Sequence, residues 1–330
     1  MTKDERIVRK KFDFTLKRPP NIDRIDAFLA ARFPEYSRTF IQKLIDEGLI
    51  TVDGEPVKAS YTPHRGDTVE AEVPMKVGEV IEPEEMDLDI IYEDEWIIVV
   101  NKPWDMVVHP SRGHQTGTLV NAVAYHCENL SEFGGDLRPG IVHRLDRDTT
   151  GVILMIKDES IHQDIAKQFE HRETQKEYIA ICEGVVELDS DVIDAPIGKH
   201  LRDRTRMAIR YDRGKKATTL YEVVQRLGDF TIVRCKPHSG RTHQIRLHMK
   251  HVGHPIVSDC AYGYRENIYL SDLTGEEHYP SESPLLSRQA LHARRLKIFH
   301  PAREEEIEFE APVPDDMMAL VNALREQNRG

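Results

Sequence analysis

Apolar residues Ile25, Phe28 and Leu29 recur at helical spacing up to about Phe33, where Pro34 stops the turn. Ser37 then offers an N-cap. Phe40, Ile41, Leu44 and Ile45 line one face of a second helix that Gly48 ends, and Arg38, Gln42 and Lys43 occupy the other face. Leu49 to Val52 reads as a strand, Asp53-Gly54 as a tight hairpin turn and Val57 as the return. Arg65-Gly66-Asp67 makes another turn before the alternating strand Thr68 to Val73. Two helices followed by small strands predict a miniature α+β module over residues 22–74.

Residues 1–21 are basic, end in Pro19-Pro20 and read as an extension with little structure of its own. Residues 75–86 form an acidic linker containing Gly78 and Pro83. Beyond it, in residues 87–330, strands and helices alternate. Ile90–Tyr92, Trp96–Val100, Tyr178–Ile181, Thr218–Val224, Phe230–Cys235, Leu296–Phe299 and Ile307–Ala311 are strand-like. Gly151–Ile156 is a short apolar run and predicts a buried strand. Leu119–His126, Ser160–His171 and Gln244–His251 read as helices. Many strands compatible with antiparallel pairing and a few helices predict a mixed α+β catalytic domain.

Composition narrows the class without naming it. Charged residues make up 31% and apolar ones 39%, which excludes disorder and collagen-like repetition. Cys127, Cys182, Cys235 and Cys260 are widely spread and form no C-x-x-C, against a disulfide scaffold or zinc ribbon. No run of about 18 apolar residues predicts a membrane helix. The first ten residues lack the apolar stretch of a signal peptide, so the expected compartment is the cytoplasm.

The net charge of −12 speaks against a uniformly polybasic nucleic-acid binder, yet it is unevenly spread. Residues 76–100 and 158–194 are strongly acidic, whereas residues 195–254 carry 14 basic and four acidic side chains. The run Lys199, Arg202, Arg204, Arg206, Arg210, Arg213, Lys215 and Lys216 mixes arginine forks with few acids, as a phosphate-binding surface requires. A solvated face that balances neighbouring acids is the alternative reading.

Two clusters carry candidate chemistry. His143-Arg144-Leu145-Asp146-Arg147-Asp148 runs into the apolar segment after Gly151. A carboxylate beside a buried strand is costly unless paired, so Asp146 is either a structural ion-pair partner or a reacting group. The second cluster, Ser239 to His248, places Arg241, His243 and Arg246 at the end of the basic stretch. His243, His248, His251 and His254 lack the spacing of a zinc metalloprotease helix, which argues against a metal. Phosphate-loop, dinucleotide and nucleophile-elbow motifs are missing.

The stretch HRLDRDTTG (His143–Gly151) resembles the active-site signature of the RluA-type pseudouridine synthases, which convert uridine in RNA to its C–C linked isomer. Further blocks follow in the same order: YEDEWIIVVNKP (Tyr92–Pro103), VVHP (Val107–Pro110), GTLVNAV (Gly117–Val123) and RPGIVHRLD (Arg138–Asp146). QKEYIAICEG (Gln175–Gly184), SGRTHQIRLHM (Ser239–Met249), GHPIVSDCAYG (Gly253–Gly263) and RQALHARRL (Arg288–Leu296) complete the set. The similarity covers residues 87–314, and residues 24–73 separately resemble an S4 RNA-binding domain.

The resemblance implies a mixed, largely antiparallel central sheet flanked by helices and loops, with a small N-terminal α+β S4 domain. It implies Asp146 as catalytic aspartate and Arg144 as the arginine that displaces the target base. Tyr178 is then the tyrosine against the flipped uracil, and Arg246 the basic partner of Asp146. With the charge pattern it places RNA contacts at Arg38, Lys43, Arg147, Arg202, Arg204, Arg206, Arg241 and His243. The reaction breaks a C–N bond and forms a C–C bond without redox change or net hydrolysis, so no cofactor or metal is expected. An aspartate held by an arginine stays charged for such work, and the base must leave its stack first.

An S4 domain joined to this catalytic type resembles the enzymes of large-subunit ribosomal RNA more than those of tRNA. The expected partner is large-subunit rRNA or a pre-ribosomal particle, bound by a monomer. A tRNA substrate, or a non-catalytic ribosome-assembly factor, is the alternative. Departures from the family pattern are Trp104-Asp105-Met106, where a small residue and glycine are usual; Thr150 for serine; Lys236 to Ser239 before Gly240; and Ser258 for glycine.

Overall fold

The computed structural model describes residues 7–16, 24–33, 36–76, 81–110, 114–127, 130–131, 139–203 and 206–328. The chain forms two units that divide between Glu82 and Pro83.

The first unit contains β1 (Ile7–Thr15), α1 (Ile25–Arg32), α2 (Arg38–Asp46), β2 (Ile50–Val52), β3 (Glu55–Pro56) and β4 (Thr68–Lys76). Its sheet has the order β1-β4-β2-β3 and is antiparallel throughout. β1 corrects the reading of residues 1–21 as unstructured: it pairs with β4 along its whole length, from Ile7 opposite Lys76 to Thr15 opposite Thr68. A strand is held by its partner, and this partner lies some sixty residues on, so local charge alone concealed it. β4 also runs to Lys76, into the segment read as linker.

Ser37 caps α2 by accepting a hydrogen bond from the Phe40 N–H at 3.2 Å. Asp53 and Gly54 both adopt left-handed backbone (φ 51° and 79°), the geometry of a primed two-residue hairpin turn. Ile25, Leu29, Ile41, Leu44, Ile45, Ile50, Val52 and Val69 form this unit's core.

Beneath the helices Asp26 is fully buried. It accepts hydrogen bonds from Arg24 (3.0 and 3.1 Å), Arg38 (3.1 and 3.2 Å), Gln42 (2.5 Å) and the Ala27 N–H (2.8 Å). The Arg24 hydrogen bonds, backed by those of Arg38 and Gln42, hold its carboxyl far below the ordinary carboxylate range against the effect of burial. Arg38 is therefore engaged in fastening α2 to α1.

The second unit contains β5 (Ile90–Glu93), β6 (Ile97–Lys102), α3 (Leu119–His126), β7 (Thr150–Ile156), α4 (Glu159–His171), β8 (Gln175–Glu183), β9 (Ser190–Asp194), β10 (Ile197–Lys199) and β11 (Met207–Ile209). It continues with β12 (Thr218–Leu227), β13 (Phe230–Pro237), α5 (Gln244–His251), α6 (Leu270–Thr274), β14 (Leu291–His300), β15 (Glu305–Glu310) and α7 (Asp315–Gln327). One nine-stranded sheet runs β5-β6-β7-β14-β8-β13-β12-β9, with β15 also on β14, while β10 and β11 form a separate hairpin. Among the described residues only the β7–β14 pairing is parallel, so the sheet is mixed and largely antiparallel. α4 packs its Ile161 and Ile165 into one apolar cluster with β6, β7, β14 and β15. α5 and α7 join another with β8, β12 and β13.

Every residue of β7 is buried, as its unbroken apolar run predicts. Its parallel partner places His292 opposite Thr150 and Ala293 opposite Gly151. Gly151 has φ 112°, and a Cβ there would lie 2.1 Å from the Ala293 carbonyl oxygen, so this close crossing admits only glycine. Asp105 and Ser258, two of the positions where the family pattern has glycine, also have positive φ (55° and 56°).

Two buried histidines couple this fold to pH. His162 bonds the Ser131 hydroxyl at 2.8 Å and His292 the Thr150 hydroxyl at 2.9 Å. Burial pulls each down from the ordinary 6.5 to about 4. The unfolded chain takes up protons below about pH 6.5, whereas these folded sites resist until about pH 4. Their contribution is thus complete above pH 6.5 and is lost as pH falls towards 4, by about 1.4 kcal/mol per pH unit each. Urea unfolding across that interval is expected to show a falling midpoint whose slope lessens, without vanishing, when both histidines are replaced by Gln, because burial also draws His143 down, to about 3.

Candidate active site

Asp146 stands on the loop that leads into β7, and its backbone carbonyl accepts from the Thr149 N–H at 3.1 Å. The loop is braced from beneath. Fully buried Lys102, at the end of β6, donates to the carbonyls of Pro103 (2.7 Å), Met106 (2.9 Å) and Arg147 (2.8 Å). Burial draws its ammonium down to about 7, against the pull of Asp148 and Asp146. Arg288 donates to the Asp148 carbonyl at 3.4 Å, Gln289 to the Thr149 hydroxyl at 3.2 Å, and His292 holds Thr150. The block RQALH thus stiffens the block HRLDRDTTG from across the parallel pair, while Arg288 itself is anchored by Asp316 at 2.7 Å on both nitrogens.

Arg246 reaches Asp146 from α5, with Nη1 3.1 Å from Oδ2. Its Nε and Nη2 grip Asp259 at 2.6 and 2.7 Å, a bidentate pair buried on both sides. Asp259 also accepts the N–H groups of Ala261 and Tyr262, each at 3.0 Å. Burial opposes the guanidinium charge, but Asp259 and then Asp146 outweigh it and raise Arg246 above its ordinary value. The Tyr262 ring lies 5.1 Å beneath the guanidinium. One rigid cation therefore joins a buried structural carboxylate to the partly exposed carboxylate of Asp146.

Tyr178, on the central strand β8, lines the same pocket together with Arg144, Arg241, His243, Leu291 and the loop 237–242. Burial, and secondarily the Asp146 charge, push its phenol well above the ordinary value, so it stays protonated. Gln244 shapes the loop. Its carbonyl oxygen accepts from the Ser239 hydroxyl (2.7 Å) and the Arg241 N–H (3.0 Å), while its amide donates to Thr218 and Thr219.

The matches to known proteins cover most of the chain. Residues 96–251 match the family model described as RNA pseudouridylate synthase, and residues 23–69 match the S4 domain. An uncharacterised RNA pseudouridine synthase of Bacillus subtilis, YlyB, is 42% identical over 96% of this chain and 98% of its own length. The chain belongs to the RNA pseudouridine synthase family. The ribosomal large subunit pseudouridine synthase D of Pseudomonas aeruginosa is 40% identical, with 92% of each chain covered. Among solved structures, human RNA pseudouridylate synthase domain containing 4 superposes with a TM-score of 0.55 at 25% identity. That alignment covers 72% of this chain and 92% of the other.

This pseudouridine synthase brings Asp146, Arg144, Tyr178 and Arg246 to one pocket. Arg241 lines it as well, its Nε 3.4 Å from the Lys216 carbonyl. His243, read from sequence as an RNA contact, lines the same pocket, with Nε2 4.0 Å from Asp146 and Nδ1 2.7 Å from the Tyr262 hydroxyl. Its left-handed backbone (φ 57°) at the start of α5 turns the side chain inward instead of capping the helix. Burial lowers its pKa against the pull of Asp146.

The remaining predicted RNA contacts are scattered. Lys43, in the first unit, is exposed beside Glu47 at 3.6 Å. Arg147 is half exposed between Asp148 and Asp105, at 3.2 and 3.5 Å. Arg202 and Arg206 are exposed in the loop between β10 and β11, Arg206 facing Asp203 at 3.5 Å. Arg204 lies outside the described residues. Asp259 and Lys102 are the functional-site residues that residue patterns missed; each lies inside a matched block, and a charged side chain in an apolar segment was the available signal. His248, one of the four histidines weighed as a metal cluster, spends both ring nitrogens on Thr219 and the Ala195 carbonyl.

Proposed function

We propose that this pseudouridine synthase acts on uridines of large-subunit ribosomal RNA and that Asp146 is the reacting carboxylate. The observation that carries the chemistry is the Asp146–Arg246–Asp259 arrangement. It keeps one carboxylate oriented at a pocket mouth by a cation that is itself anchored elsewhere. The RNA target is supported by the extent of similarity to the Pseudomonas enzyme, which includes the S4 domain.

In this reading the target uridine leaves its stack and enters the pocket. Exposed Arg144 fills the vacated space, and Tyr178 offers an aromatic face to the uracil. Asp146 acts on the nucleoside as nucleophile or base while the glycosidic bond breaks. The uracil turns and rejoins the ribose through carbon, so the atoms of substrate and product are the same and no cofactor is consumed. The phenol of Tyr178 stays neutral, which favours packing over proton removal. Phosphate contacts from the S4 unit and the basic stretch supply affinity that weakens with salt.

Mapping of pseudouridines in ribosomal RNA from cells with and without the protein tests the target. Loss of a defined large-subunit set is expected. An unchanged large-subunit map with loss in tRNA would replace the rRNA reading by the tRNA one.

A further inference from the structure

A second cavity adjoins the catalytic pocket and shares Arg144, Tyr178, Ser239, Gly240 and Arg241 with it. The catalytic pocket holds only about 80 Å³, whereas its neighbour holds about 600 Å³, within the range of sites that take nucleotide-sized ligands. Three arginines, Arg144, Arg172 and Arg241, stand on its walls with Lys176, against one exposed acid, Glu170.

Lys176 is the informative member. It lies on β8 two residues before Tyr178, so strand alternation turns both side chains to the same face. Glu177 between them turns the other way and pairs with Arg234 at 3.3 Å. The Lys176 ammonium lies 5.4 Å from the Phe169 ring centre, and that ring stacks on His143 at 4.6 Å. Among the described residues no carboxylate pairs with it. Burial lowers its pKa, and no neighbouring anion offsets the shift. A partly desolvated cation that faces an open basic cavity has a cost which an incoming anion relieves.

We infer that Lys176 binds a backbone phosphate of the RNA strand next to the target uridine, so that the second cavity receives the adjoining nucleotide. The inference rests on the RNA-isomerising reading above. It adds a subsite that fixes the strand while the uridine is turned out, and the anion is a phosphodiester because the cavity opens beside the pocket that takes the nucleoside.

The test compares full-length wild type with Lys176→Met, Lys176→Gln and Lys176→Arg on in-vitro transcribed large-subunit rRNA. Arg325→Gln on α7, outside both cavities, is the control for loss of one positive charge. Both neutral variants are expected to raise KM about tenfold with kcat within about twofold. They are also expected to lower the slope of log affinity against log salt by about one contact, with Arg restoring both values. An unchanged KM and salt slope in a neutral variant that melts like wild type would overturn the subsite, leaving Lys176 as packing for Phe169. Binding is measured separately from turnover. A transcript that wild type binds but does not modify therefore counts against the rRNA target, while the salt slope still decides the role of Lys176.

Discussion

Asp146→Asn is expected to lower pseudouridine formation by about 10⁴-fold or more while RNA affinity stays within about threefold of wild type. The substitution keeps the shape of the side chain and an oxygen for the Arg246 Nη1 contact at 3.1 Å. It removes the charge and the nucleophilic or basic oxygen. Arg246 remains gripped by Asp259 at 2.6 and 2.7 Å, so the pocket is not expected to collapse. Because product and substrate have the same mass, the assay is chromatographic separation of nucleosides after complete digestion of the RNA. Turnover by Asp146→Asn within tenfold of wild type would remove Asp146 from the chemistry.

Arg246→Met is expected to damage both stability and catalysis. Asp259 is fully buried and would keep only the Ala261 and Tyr262 N–H groups. Breaking one side of such a pair costs about 3–5 kcal/mol, because the remaining charge is left without its partner. Asp146 would lose its orienting cation, with an expected further loss of about 10³-fold in kcat. The two effects separate in the double variant Arg246→Met/Asp259→Asn. Neutralising the buried acid should recover much of the stability measured by urea unfolding, yet not the activity. Recovery of both would mean that Arg246 serves the fold alone. A single variant as stable as wild type would contradict the buried pair.

The sheet and the site differ in how they could be read. α3 (Leu119–His126) and β7 were foreseen almost residue for residue, since helical spacing and an unbroken apolar run are local signals. β14 was seen only over Leu296–Phe299, although it starts at Leu291. Its first half carries His292, Arg294 and Arg295, and that polar stretch is a strand because β7 and β8 flank it. β1 was missed for the same reason, its partner being distant in sequence. The closeness of His243 to Asp146 was not legible, because charge and position in a basic run say nothing about a left-handed backbone that turns the ring inward.

From the sequence alone came the α+β class, the strongly basic segment 195–254, and the motifs that single out Asp146, Arg144, Tyr178 and Arg246. The class and the basic segment follow from residue type and short-range periodicity, and the four residues from the resemblance of their motifs to a known family; all persist whatever the chain's path in space. The tertiary structure decided the rest. It joined Arg246 to Asp146 across a hundred residues and gave Arg246 its buried anchor in Asp259. It placed Lys102 under the Asp146 loop, and set Lys176 on the wall of a basic cavity with no paired carboxylate among the described residues. The worth of a charge depends on its burial and on which opposite charge lies within a few ångströms. Both are properties of chain segments brought together by folding.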